Sequence, residues 1–133
     1  IEAVTKAVKD EFPEKFVVIA GYSDYERMGT ISPFDIAPIT AACGADFAMV
    51  DTGIKDGRST FSFMDEATLA RFTAANRDLG IGTALAGSLK FEDIDALKRI
   101  DPEIIGVRGM VCGGDRNATI REDLVKSAIA MIR

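Results

Sequence analysis

Four short apolar runs recur along the chain and predict four β-strands, at residues 16–20, 47–50, 82–86 and 104–107. None of the runs alternates apolar with polar residues. Both faces of each strand are therefore expected to be buried, as is usual for the strands of a parallel sheet.

Amphipathic segments precede, separate and follow the apolar runs, and they predict five helices. Ser32 is a suitable N-cap for the second of these, with Pro33 at its first helical position. Gly44 and Gly80 follow two of the segments and indicate where helices end. The predicted helices span residues 1–11, 33–43, 65–79, 90–100 and 121–133.

Strict alternation of helix and strand predicts an α/β fold with parallel strands and right-handed crossovers. An open doubly wound sheet and a (β/α)8 TIM-type barrel both satisfy this order. The barrel is favoured because no Gly-x-Gly-x-x-Gly motif follows the first strand, and polar, Gly-rich loops follow every strand.

A whole barrel takes about 250 residues, so four strand–helix units are about half of one. The chain has 133 residues and begins, without Met, in a segment with a helical pattern. We therefore expect residues 1–133 to be the C-terminal half of a single barrel domain, with the N-terminal half absent from the sequence. Unpaired strand edges are avoided in natural proteins, which favours a partner half or a homo-oligomer.

Composition excludes several classes of protein. The formal net charge is −5, from 21 acidic and 16 basic residues, and no basic footprint for nucleic acid is present. No apolar run approaches the roughly 20 residues of a membrane span, and no signal peptide is visible, so a cytoplasmic protein is predicted. The chain has no His, which excludes imidazole catalysis and a His-ligated metal site.

Polar residues after the first two predicted strands are candidates for a site. Gly21 and Asp24 follow the first strand, where they could contact a ligand or simply form a polar turn. Asp51 is the first charged residue after the second strand, and Lys55 follows four residues later. A carboxylate and an ammonium held together suit proton transfer next to a carbonyl, although a structural ion pair is an equal alternative.

Glycine-rich loops after the third and fourth strands indicate a phosphate site. The late βα loops of barrels often bind phosphate through backbone N–H groups, and arginines add charge-assisted hydrogen bonds. Plain turns are the alternative. Cys112 lies nearby, but with no His to activate it a spectator thiol is the simpler interpretation. The candidate phosphate-binding residues are Gly87, Ser88, Arg108, Gly109 and Gly114, with Arg116 as a further cation.

These motifs closely resemble the C-terminal half of the (5-formylfuran-3-yl)methyl phosphate synthase family, also called 4-HFC-P synthase. The most specific string is Asp-Thr-Gly-Ile-Lys-Asp-Gly at residues 51–57. The resemblance extends along the whole chain, and the other strings that carry it lie at residues 18–24, 84–88, 106–109 and 114–117.

The resemblance implies a lyase that condenses two molecules of glyceraldehyde 3-phosphate into a phosphorylated furan aldehyde for methanofuran-type cofactors, losing phosphate and water. It implies a Schiff base on a lysine outside this chain, with no metal and no cofactor. Asp51 and Lys55 match residues important for catalysis in the family. Gly87, Ser88, Arg108, Gly109 and Gly114 would contribute to phosphate binding. The chain alone is expected to lack synthase activity.

Two alternatives stay open. Lys55 itself could form the imine, as in other Schiff-base aldolases with a barrel fold. A non-catalytic module that binds a phosphorylated ligand would also keep the glycine-rich loops.

Overall fold

The computed structural model describes residues 1–133, which form six α-helices and a four-stranded sheet. The helices are α1 (Glu2–Glu11), α2 (Tyr25–Met28), α3 (Pro33–Ala42), α4 (Glu66–Asp78), α5 (Ile94–Ile100) and α6 (Glu122–Ile132). The strands are β1 (Val18–Tyr22), β2 (Phe47–Asp51), β3 (Gly82–Leu85) and β4 (Ile104–Ile105). Short 3₁₀ turns lie at Thr60–Ser62, Phe91–Asp93 and Gly109–Cys112.

All four strands are parallel, and each pairs with the strand that follows it in sequence, in the order β1-β2-β3-β4. The sheet is open, because β1 and β4 each pair on one side only. The prediction of a (β/α)8 barrel is therefore wrong for the fold that the chain adopts. Alternation of helices and strands makes neighbouring strands parallel, but it does not determine whether a sheet closes on itself.

One face of the sheet packs against the helices and forms the core. Ala48, Val50 and Leu85 are fully buried on this face. Phe72 of α4 meets Phe34 of α3 edge to face, with ring centroids 5.5 Å apart. Further buried core side chains come from α4 and α5, namely Leu69, Ile94, Leu97 and Ile100.

The opposite face of the sheet is only partly covered. Val18 on β1 and Ile104 on β4 are each 40% exposed, and Phe16 packs edge to face on Phe47 while remaining 72% exposed. Burial of both faces was predicted for all four strands. The prediction is wrong for β1 and β4 because these are edge strands with helices on one side.

Carboxylates fix the amino-terminal ends of two strands. Asp46 Oδ2 accepts the backbone N–H of Val17 at 2.6 Å and pairs with Lys9 Nζ at 2.8 Å. Glu103 Oε2 accepts the N–H of Thr83 at 2.7 Å. Internal hydrogen bonds therefore satisfy the backbone at this end of the sheet. The carboxyl ends of the strands, at the other end, are available to form a site.

Two helices begin at side-chain caps, the first of which the sequence predicts. Ser32 Oγ accepts the Phe34 N–H at 3.2 Å at the start of α3, and Asp65 Oδ1 accepts the Thr68 N–H at 2.8 Å at the start of α4. The longest helix, α4, has 13 residues. No helix has the length and apolar character needed to cross a membrane.

Candidate active site

A cavity of about 880 Å³ lies at the carboxyl end of the sheet, between the loops that follow β2, β3 and β4. Its walls bring together most of the residues predicted from the sequence. These are Asp51, Lys55, Gly87, Ser88, Arg108, Gly109 and Gly114, with Arg116 beside them.

Asp51 and Lys55 form an ion pair on one wall of the cavity. Asp51 is the last residue of β2, and Lys55 Nζ donates to Asp51 Oδ1 at 2.6 Å and to Thr52 Oγ1 at 3.1 Å. The same Asp51 oxygen accepts the Thr52 N–H at 2.7 Å. About 30% of each charged side chain is exposed (32% for Lys55 and 29% for Asp51), so both are accessible from the cavity.

The loop after β3 presents unpaired backbone N–H groups. Gly87 and Ser88 both have positive φ, at 97° and 51°. The N–H groups of Gly87, Ser88 and Leu89 have no hydrogen-bond acceptor in the protein, whereas the next N–H, of Lys90, donates to Asp93 at 2.8 Å. Successive N–H groups in a turn make a concavity that suits an anion.

The loop after β4 contributes glycines and two arginines to the lining of the cavity. Arg108 Nε donates to the backbone oxygen of Arg116 at 2.9 Å, which ties the two ends of the loop together. Gly114 N–H donates to Gly109 O at 2.9 Å, and Gly113 and Gly114 take φ values of 75° and 96°. These conformations let the backbone turn sharply and leave both guanidinium groups near the cavity.

The cavity is basic although the chain is acidic overall. Lys55, Lys90, Arg108, Arg116 and Arg121 line it, against only Asp51 and Asp115. Lys55, Lys90 and Arg121 pair with carboxylates. Arg108 and Arg116 form no ion pair, so their charges are available to an anionic ligand.

Two predicted ligand residues, Gly21 and Asp24, lie outside this cavity. Gly21 packs against α3, where a Cβ would lie 3.0 Å from Pro33 Cα. Asp24 is 2% exposed and accepts the N–H of Gly53 at 2.7 Å and of Ile54 at 3.0 Å. Burial raises the pKa of Asp24, but these hydrogen bonds and Arg27 outweigh burial, so the pKa lies below its ordinary value.

Sequence reasoning missed Thr60, which links the carboxyl ends of β1 and β3. Its N–H donates to Gly87 O at 2.9 Å and its Oγ1 donates to Ala86 O at 2.6 Å, while the Ser23 hydroxyl lies 3.4 Å from Thr60 Oγ1. The partners of Thr60 lie 26 or more residues away in sequence, so no local pattern could have identified it.

The cysteines take no part in the cavity. Cys112, in the 3₁₀ turn of the loop after β4, is buried at 4% exposed, and Cys43 is half-buried at the end of α3. No group of three or more Asp, Glu or Cys side chains is arranged to hold a metal ion.

The family model for 4-HFC-P synthase matches residues 1–129. The chain belongs to this family. A Methanosarcina barkeri protein named (5-formylfuran-3-yl)methyl phosphate synthase is 57% identical over 130 residues, which are 98% of this chain and 56% of the relative. Relatives with the same name from Archaeoglobus fulgidus and Methanothermobacter thermautotrophicus are 47% and 45% identical, each over 92% of this chain and 52% of the relative.

The family resemblance expected from the sequence motifs is thus confirmed. The chain spans about half the length of the curated relatives it matches.

Proposed function

We propose that the chain supplies the phosphate-binding and proton-transfer parts of a (5-formylfuran-3-yl)methyl phosphate synthase. The substrate proposed is glyceraldehyde 3-phosphate, two molecules of which condense with loss of phosphate and water. The observation that carries the proposal is the Asp51–Lys55 pair, which lines the same basic cavity as the neighbouring β3 loop with its unpaired N–H groups.

The phosphate of the substrate is placed against the β3 and β4 loops. The free N–H groups of Gly87, Ser88 and Leu89 offer three hydrogen bonds to one anion. Arg108 and Arg116, on the β4 loop, have no carboxylate partner and stabilise the phosphate charge. The carbon skeleton of a triose phosphate then extends toward the end of β2.

The Asp51–Lys55 pair suits the removal and return of a proton at a carbon next to a carbonyl or imine. The Asp51 carboxylate accepts the proton as a base, and the Lys55 ammonium stabilises the negative charge that develops on the neighbouring oxygen or donates a proton to a leaving group. The covalent step, a Schiff base, is assigned to a lysine that this chain does not supply.

The arrangement of Lys55 argues against its forming the imine itself. Imine formation requires the nitrogen lone pair of a neutral amine. Lys55 Nζ is already held by an ion pair with Asp51 and a hydrogen bond to Thr52. Proton transfer therefore fits this side chain better than nucleophilic attack.

The proposal is tested on the protein as its gene encodes it, incubated with glyceraldehyde 3-phosphate with and without borohydride. Formation of the furan aldehyde, with a reduced adduct mapped to a lysine outside residues 1–133, supports the synthase. An adduct on Lys55 supports the aldolase instead. Binding of inorganic phosphate with neither product nor adduct contradicts both enzymes and favours a binding module.

A further inference from the structure

We infer that Asp24 is a positioning residue that holds the Asp51–Lys55 pair in its working geometry. Asp24 does not line the cavity, so it acts through the loop that carries the pair. This inference rests on the proposed function for its catalytic consequence, although the geometry on which it stands is independent of the substrate.

Both carboxylate oxygens of Asp24 accept hydrogen bonds from that loop. Oδ1 accepts the Gly53 N–H at 2.7 Å and Oδ2 accepts the Ile54 N–H at 3.0 Å. These two residues lie between Asp51 and Lys55 in sequence. The carboxylate therefore fixes the segment of backbone that determines the separation of the two charged side chains.

Residues next to Asp24 hold the same loop at two further points. Ser23 N–H donates to Asp51 O at 2.7 Å, continuing the sheet beyond β1. Met28, at the end of α2, packs so closely on Gly53 that a Cβ at residue 53 would overlap the Met28 Sδ. The segment 23–28 therefore contacts the loop at residues 51, 53 and 54.

Arg27 holds the same loop at a further point, beyond Lys55 in sequence. Its guanidinium lies 3.7 Å from Asp24 Oδ2 and 3.0 Å from Asp56 Oδ2, so one cation joins the carboxylates on either side of the loop. Arg27 and Arg58 both lie over the Phe63 ring, 5.2 Å from its centroid. Lys55 thus lies between two fixed points, at residues 54 and 56.

The variant Asp24→Asn tests the inference with little change in shape. An amide has a single acceptor oxygen, so either Gly53 or Ile54 must lose its acceptor and face an NH₂ group instead. A displacement of about 1 Å in a catalytic group costs on the order of 100-fold in rate. In the protein as its gene encodes it, we expect kcat to fall about 10- to 100-fold while KM changes less than about threefold.

Asp46→Asn is the matched control. Asp46 is also a partly buried aspartate that accepts a backbone N–H and pairs with a cation, but it lies at the opposite end of the sheet. It is expected to lower Tm comparably and to leave kcat within about twofold of the parent protein. Equal losses of kcat in the two variants, or a rise in KM alone for Asp24→Asn, would overturn the inference.

A readout without catalysis separates this inference from the proposed function. Acetic anhydride labelling of Lys55 and amide exchange at Gly53 and Ile54 are measured in the parent protein and both variants. Faster labelling and exchange in Asp24→Asn alone support positioning even if the parent makes no furan product, in which case only the proposed function fails. Unchanged rates overturn the inference. If Asp24→Asn does not fold, Arg27→Ala is measured in the same way, and unchanged labelling there likewise overturns it.

Discussion

Gly87 lies against Thr60 so closely that a Cβ at residue 87 would overlap the Thr60 hydroxyl oxygen. The same Cβ would lie 2.6 Å from the backbone nitrogen of Thr52. Gly87 also takes a φ of 97°, which side chains rarely adopt. The proposed phosphate loop at the exit of β3 therefore packs directly against the loop that carries Asp51 and Lys55.

Replacing Gly87 by Ala is expected to destabilise the fold and to weaken ligand binding together. The backbone strain and the overlap with Thr60 and Thr52 are expected to cost about 2–4 kcal/mol in the free energy of unfolding, measured by urea titration. Gly44→Ala is the control, because Gly44 has a similar φ of 72° with nothing within 4 Å of its Cβ position. It is expected to cost about 1 kcal/mol. Equal losses of unfolding free energy in the two variants would show that the close contacts of Gly87 add nothing to the effect of backbone strain.

The ion pair is expected to affect turnover more than binding. Asp51→Asn or Lys55→Met removes one partner of the proton-transfer pair and should lower kcat by about 10²- to 10⁴-fold. Affinity for inorganic phosphate, measured by calorimetry, should stay within about threefold because phosphate is placed on other loops. A variant that loses phosphate affinity but keeps its kcat would contradict the assigned roles.

Much of the fold follows from local sequence pattern. The predicted helices and strands all exist, and Ser32 caps α3 where the sequence places it. The first strand begins at residue 18 rather than 16, because the Val17 N–H donates to the Asp46 side chain rather than to a backbone oxygen of β2. An apolar run indicates that a strand is present, but it does not show which residues of the run pair with the neighbouring strand.

Local sequence pattern does not predict whether the sheet closes or which groups Asp24 contacts. Four parallel strands satisfy the alternation of elements whether the sheet is open or closed, so the barrel was inferred from loop chemistry, and the structure has an open sheet. Asp24 was expected at the ligand because it follows a strand. Its actual partners, the N–H groups of Gly53 and Ile54, are about 30 residues away, and only tertiary packing brings them together.

Arg116 offers a clean test of the phosphate assignment. Its guanidinium forms no ion pair, whereas Arg108 also helps to hold the loop through its hydrogen bond to Arg116 O. Arg116→Ala should therefore weaken phosphate binding about tenfold, equivalent to the loss of one charge-assisted hydrogen bond. Tm should stay nearly constant. Lys126→Ala, an exposed cation on α6 paired with Glu122, is the control. A similar loss of affinity in the control would indicate only a general charge effect.

Stability is expected to fall in acid, and Asp46 allows the sign to be tested. Burial raises the pKa of Asp46, but the hydrogen bonds from Lys9 and Val17 outweigh burial and lower it below the ordinary value of about 3.9. Its stabilising contribution is therefore present above about pH 4 and is lost as the pH falls through the lower, folded-state pKa. The difference in unfolding free energy between the parent protein and Asp46→Asn should shrink from pH 7 to pH 2. A constant difference would contradict the linkage.

Asp93 should behave in the opposite way. Burial raises the pKa of Asp93, and the nearby Glu92 carboxylate adds to that rise against the hydrogen bond from the Lys90 N–H. Folding then favours the protonated acid, so the contribution of Asp93 is present below about pH 4 and is lost as the pH rises through the folded-state pKa. Relative to the parent protein, Asp93→Asn should therefore be more stable at pH 7 than at pH 3. Urea titrations of both aspartate variants across this range measure the two slopes. Slopes of the same sign would show that a shared change in net charge, rather than the separate environments of Asp46 and Asp93, governs the acid response.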